Sequence, residues 1–128
     1  MSKQREVRVG VKTPEAALAE AAQVWKRAEK GHAPRKPVEG VYFADFVTMA
    51  RILTPRRIEL LLALQARGKT TVRALAQRLK RDYKNVHGDV QRLKHAGLIE
   101  TENGYVHVPW KTIRFEATLT TKPARRAA

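Results

Sequence analysis

Cysteine is absent from the chain, which removes disulfides, thiolate-zinc sites and cysteine nucleophiles together. Aromatic residues make up only 6% of the sequence and stand apart from one another, so no stacking platform for single strands is expected. Trp25 and Trp110 read instead as core or dimer-interface side chains. Acidic residues are also few, 12 against 26 Lys and Arg, and scattered as helix caps and surface partners, whereas a metal-dependent nuclease needs clustered carboxylates. No glycine-rich phosphate loop, nucleophile elbow or Cys-His set is present, so neither an enzyme nor a cofactor is expected. His32, His87, His95 and His107 lack the i, i+4 helical pairing of a zinc site, and no metal is expected. No apolar run approaches the roughly 20 residues of a membrane span, and Met-Ser-Lys-Gln-Arg-Glu leads into no signal-peptide core. The expected location is cytoplasmic, associated with the nucleoid, without membrane contact.

What is abundant is positive charge. The 128 residues carry a formal net charge of +14, and a polyphosphate partner releases condensed counterions when it meets clustered Lys and Arg. Composition points to nucleic acid; the plainer readings are a solubilising positive surface or attraction to anionic membrane. With 43% hydrophobic and 30% charged residues, the length suits one compact domain with appended elements.

Val7, Val9 and Val11 alternate with Arg8, Gly10 and Lys12 as in a strand with one buried face. Thr13-Pro14 is a cap-plus-proline helix start, followed by an Ala-rich run with Leu18, Trp25 and Ala28 that stops at Gly31. Gly31 to Gly40, with Pro34, Arg35, Lys36 and Pro37, reads as an exposed linker and marks a boundary at residue 40. Phe43, Phe46, Val47, Ala50 and Leu53 recur at helical spacing. Thr54-Pro55 then opens a helix running to about Arg67, apolar on more than one face and closed by Gly68.

Thr70 or Thr71 caps a third helix of this region, with Val72, Leu75, Ala76 and Leu79 inward and Arg73, Gln77, Arg78 and Lys80 outward. After the basic turn Lys80-Arg81, Asp82 caps a helix whose apolar stripe is Tyr83, Val86, Val90 and Leu93, closed at Gly97. Its opposite face presents Lys84, Asn85, His87, Gly88, Gln91, Arg92 and His95. Leu98–Thr101 and Tyr105–Val108 flank Asn103-Gly104, a tight-hairpin dipeptide. Ile113, Phe115, Ala117 and Leu119 alternate as a last strand, before a basic tail, Lys122–Ala128, expected to be disordered.

Helix, short turn, amphipathic helix and Asn-Gly hairpin form the order of a winged helix-turn-helix, whose second helix enters the major groove. A capped helix start directs free amides at a phosphate, and Lys84, Asn85 and His87 can reach phosphates or base edges. Asn suits adenine and Lys suits guanine through their major-groove edges. Gly88 weakens its helix, and close approach to a DNA backbone is a reason for it. Arg73, Arg78, Lys80 and Arg81 are expected phosphate clamps, although single surface cations are often idle. Tyr83 has packing as an equal alternative, capping alone accounts for Thr71, and turn formation alone for Asn103. A solvated helix face is the bland alternative for the remainder, including Gln91 and Arg92.

From Leu53 to Trp110 the chain resembles a group of short prokaryotic winged-helix regulators and, more loosely, the MarR and ArsR types. The segments that carry this are Leu-Thr-Pro-Arg-Arg-Ile-Glu-Leu-Leu, Val-Arg-Ala-Leu-Ala-Gln-Arg-Leu, Arg-Asp-Tyr-Lys-Asn-Val-His-Gly-Asp-Val, Leu-Lys-His-Ala-Gly-Leu-Ile-Glu and Val-Pro-Trp. The resemblance implies sequence-specific binding of double-stranded DNA, as a homodimer that often represses its own operon, with some relatives encoded beside toxin-like genes. At Gly88 this sequence departs from the larger, often charged residue expected of such proteins.

The expected architecture is therefore α+β. Residues 1–40 form a strand, helix and linker for dimerisation or partner binding; 41–110 form the winged helix-turn-helix; 111–128 form a strand and tail. The two flanking strands are expected to pair, within a chain or across a dimer, with the Thr13–Lys30 helix covering their sheet. Two rival readings are an antitoxin-like regulator that grips a toxin-like protein through its N-terminal region and a nonspecific architectural DNA-binding protein.

Overall fold

Val7 and Val9 are fully buried on one face of strand β1 (Glu6–Val11), and this strand is the centre of a three-stranded sheet. The computed structural model describes residues 5–32 and 39–119. The expected tail, and Pro34, Arg35, Lys36 and Pro37 of the expected linker, lie outside the described residues. On either side of β1 run β2 (Gly40–Phe43) and β6 (Thr112–Phe115), both parallel to it. Register places Val9 against Val41 and Val7 against Ile113, so the apolar residues of all three strands share a face. Glu6 with Arg114 at 3.2 Å and Arg8 with Glu116 at 3.1 Å make ion pairs across the β1–β6 edge.

The anticipated pairing of the two flanking strands thus forms within one chain. The last strand is shorter than its alternation predicts, ending at Phe115, and Leu119 is exposed. Parallel neighbours require a crossover, and helix α1 (Pro14–Glu29) supplies part of it between β1 and β2. Thr13 caps α1 by accepting a bond from the Ala16 amide at 3.1 Å. Contrary to expectation, α1 does not cover the sheet: none of its residues is buried, and Trp25 is 69% exposed. Gly40 to Phe43 is strand and not a linker end, so Phe43 belongs to the sheet while helix α2 (Phe46–Ile52) begins after the Asp45 cap.

Helix α3 (Pro55–Arg67) starts on the Thr54 cap and buries Leu60, Leu61 and Leu64, leaving Leu62 uncovered. Thr70-Thr71 forms the two-residue strand β3, and Thr71 is the residue that caps helix α4 (Val72–Leu79), accepting from the Ala74 amide at 3.1 Å. Helix α5 (Tyr83–His95) starts on Asp82 and ends on Gly97, whose positive φ of 92° lets the Leu98 amide reach back to the Leu93 carbonyl at 2.9 Å. Strands β4 (Glu100–Glu102) and β5 (Tyr105–His107) pair antiparallel around Asn103 and Gly104. Their φ angles of 51° and 83° match the turn read from the sequence. β5 lies between β4 and β3 in this second sheet.

The fold is α+β, with five helices and six strands among the described residues. Its buried side chains form one cluster from Val7 and Val9 through Leu60, Leu64 and Leu93 to Trp110, so the terminal strands share the core of the helices. Trp110 is in that core as expected, and its indole Nε1 donates to Glu39 at 2.8 Å. Gln65 donates to the carbonyls of Trp110 and Lys111, tying the connection between β5 and β6 to α3.

Candidate nucleic-acid interface

Val86, Val90 and Leu93 bury one side of α5 completely, and this fixes which residues it turns outward. At 100° per residue, Lys84, Gly88, Gln91 and His95 lie opposite that buried side. Asn85 and Arg92 border the outward face on one flank, and His87 and Lys94 on the other. A Cβ built on Gly88 meets nothing within 4 Å, so no packing among the described residues demands glycine there. His95 Nδ1 lies 2.7 Å from the Gln91 carbonyl. The Gln91 carbonyl can only accept, so His95 Nδ1 is the donor in this contact.

Tyr83 is not part of the apolar stripe. It begins the helix on the side of the hairpin, remains 47% exposed, and stacks on His87 with ring centroids 5.8 Å apart. The Arg73 guanidinium lies 5.6 Å from the Tyr83 ring centre, linking the first turn of α4 to the first turn of α5. These side chains border a cleft of about 400 Å³ between α4, α5 and the hairpin. Thr71, Gln91, Lys94, Thr101 and Gly104 also line it, and it has two permanent cations and no carboxylate on its walls. At the hairpin, Lys69 bonds Glu102 at 2.7 Å and holds that carboxyl below the usual glutamate range.

Inside the turn the structure corrects the sequence reading of Arg81. Its Nη2 donates to Asp89 Oδ2 at 2.8 Å, while Arg57 Nε donates to Asp89 Oδ1 at 3.0 Å. The three side chains are only 14–15% exposed. Asp89 lies on the inward half of α5, beside Val86 and Val90, so it draws Arg81 inward and away from the surface expected of a phosphate clamp. Arg57 Nη1 also donates to the Arg51 and Ile52 carbonyls, each at 3.1 Å, which joins the end of α2 to the same carboxylate. The result is a charged clasp that sets α5 against α3 and against the α4–α5 turn.

Of the residues singled out from sequence, the cleft gathers Thr71, Arg73, Tyr83, His87 and Gln91, while Lys84 and Gly88 occupy the outward face. Thr71 has its hydroxyl committed to the cap. Arg78 and Lys80 are exposed near the end of α4, outside the cleft lining, and Asn103 is exposed at the hairpin tip. Lys94 escaped the sequence reading, although it stands seven residues after His87 and so on the same side of the helix.

A family model described as HVO_A0114 matches residues 52–115, half of the chain, from the end of α2 through β6. The chain belongs to the HVO_A0114 family. The matched span of this HVO_A0114 member contains both sides of the cleft and all three clasp residues, Arg57, Arg81 and Asp89, while the Arg51 carbonyl that Arg57 also bonds lies one residue before it. No curated protein and no solved structure matches the chain.

Proposed function

We propose that this protein is a sequence-specific, double-stranded DNA-binding transcriptional regulator of the winged helix-turn-helix type, acting as a homodimeric repressor. The observation that carries the reading is the outward face of α5, which is polar, net basic, and flanked by an antiparallel hairpin across a cleft without carboxylates. A helix of this width fits the major groove, and a two-stranded hairpin beside it fits the neighbouring backbone or minor groove. In this reading Lys84, Asn85 and Gln91 meet base edges, Gly88 lets the helix approach closely, and Arg73 and Lys94 hold phosphates along the cleft. Arg78, Lys80 and Arg92 add sequence-independent attraction, in keeping with the net charge of +14.

Two copies related by a two-fold axis would set their α5 helices about 34 Å apart, one turn of DNA, and select an inverted repeat. Occupying a promoter then excludes polymerase. Fluorescence anisotropy of a duplex from upstream of the protein's own gene, against a scrambled duplex of equal length, tests this at low and near-physiological salt. Tight binding that survives salt only on the upstream duplex supports a self-regulating repressor. Equal binding that collapses with salt on both duplexes refutes sequence-specific recognition of that site and favours charge-driven, architectural binding.

A further inference from the structure

Strand β6 is an outer strand of its sheet, and only one of its sides is used. The Glu116 amide donates to the Val9 carbonyl at 2.8 Å, and the register sets Phe115 beside Val9, so the backbones of Thr112, Arg114 and Glu116 are the ones that bond β1. Ile113 and Phe115 therefore turn their N–H and C=O groups outward, where no bond to them is made among the described residues. Phe115 shares the face of Val9, yet it is 43% exposed while Val9 is fully buried. Thr112–Phe115 carries no proline, lysine or inward-pointing charge, the devices that keep an open edge from accepting a further strand.

The charges on this edge say which strand it accepts. Arg114 and Glu116 stand on either side of Phe115 and point to the opposite face from it, and each side chain is 54% exposed despite its bond to β1. A two-fold axis through Phe115, perpendicular to the sheet, lays β6 antiparallel to β6 of a second copy. The two Phe115 residues then exchange both backbone bonds, and their rings meet on the core face. Ile113 faces Ala117 of the second copy, and Arg114 faces Glu116 of the second copy, twice, at the closer, non-hydrogen-bonded positions. These four charges alternate in sign around a square. Moving the axis by one residue sets Arg114 against Arg114 or Glu116 against Glu116, and moving it to Ile113 leaves both without an opposite charge across the edge.

We propose that β6 is a self-association edge, pairing antiparallel with β6 of a second copy of this chain to join two three-stranded sheets into one of six. The inference deepens the homodimeric part of the proposed function and rests on that reading for its consequence at DNA. One strand pair falls short of the roughly 800 Å² per partner of a standard stable interface, so the dimer dissociates on the order of micromolar concentration.

Sedimentation equilibrium and amide hydrogen exchange on the full chain test the proposal. Arg114→Glu and Glu116→Arg each put like charges together twice and are expected to weaken dimerisation about tenfold. Their equimolar mixture restores both opposite pairs and is expected to return within about threefold of wild type. In the wild type, the outward Phe115 amide should gain protection as concentration rises, while the inward Arg114 amide is protected throughout; this readout needs no substitution and so stands even if a variant folds poorly. A wild-type chain still monomeric at roughly 100 µM, single variants that dimerise as wild type does, a mixture no tighter than its components, or a Phe115 amide whose exchange ignores concentration would each overturn the proposal. Binding of the wild type to a random duplex at low salt is read separately: its absence refutes the DNA-binding reading and leaves the self-association result standing.

Discussion

Replacing Asp89 by asparagine preserves the shape of the side chain and removes its charge, leaving the Arg57 and Arg81 guanidinium groups facing each other without an anion. Both are about 14–15% exposed, so water can screen them only in part. Removing one member of a fully buried pair costs about 3–5 kcal/mol. Residual exposure lowers that figure, as does the incomplete bonding of Arg81, whose Nε and Nη1 have no partner among the described residues. The expected loss for Asp89→Asn is about 2–3 kcal/mol, a substantial part of the roughly 5–15 kcal/mol that holds an ordinary domain together. At this chain length it corresponds to a fall of about 10 °C in Tm. Urea unfolding followed by circular dichroism measures it, with Arg78→Ala as an exposed-cation control expected to change stability by less than about 0.5 kcal/mol. A loss below about 1 kcal/mol for Asp89→Asn, or an equal loss for Arg78→Ala, would refute the clasp as the element that seats α5.

Gly88→Ala should stabilise the folded chain by about 0.5–1 kcal/mol, because its Cβ enters open space and alanine favours the helix, while weakening DNA binding through the lost close approach; a gain in stability with unchanged DNA affinity would remove Gly88 from the interface. Asn85→Ala should relax base preference at one operator position by about 1–3 kcal/mol, whereas Arg78→Ala should weaken all duplexes alike and flatten the salt dependence. Equal losses on operator and random duplex for Asn85→Ala would exclude base readout by that side chain. In acid, three carboxyls matter: Glu39 is lowered by its bonds from Arg5 and then Trp110, Asp45 by the Thr48 amide, and Glu102 by Lys69. A lowered folded pKa adds stability above the unfolded value and loses it as pH falls through the folded value. Thermal midpoints should therefore decline below the ordinary glutamate value of 4.5, and Glu39→Gln should soften that decline; an unchanged slope in Glu39→Gln would exclude its ion pair as a source.

Four of the five helix starts among the described residues were legible, because each is written within a few residues; the Asp45 start of α2 was not, since Phe43 shares its helical spacing. Thr13-Pro14, Thr54-Pro55, Thr71 and Asp82 supply a side-chain oxygen to an amide two or three residues ahead, and that chemistry does not wait for the rest of the chain. Asn103-Gly104 adopts its positive dihedrals for the same local reason. The polar side of α5 could also be read, since burial of Val86, Val90 and Leu93 follows from spacing alone.

Strand β2 was hidden because Gly40–Phe43 is strand only by pairing with β1, some thirty residues earlier, and its Phe43 also fits a helical spacing with Phe46 and Val47. Arg81 looked like one more surface cation until Asp89 and Arg57, distant in sequence, converged on it. Tyr83 fitted the apolar stripe by type, but the hairpin leaves open the space beside it. Sequence by itself determined the α+β composition, the caps, the hairpin turn and the basic outward face of α5, all set by interactions spanning a turn or two of chain. Only tertiary structure decided the parallel β2-β1-β6 sheet, the buried clasp and the uncovered face of α1, because each depends on which distant segments meet and which are left without a neighbour.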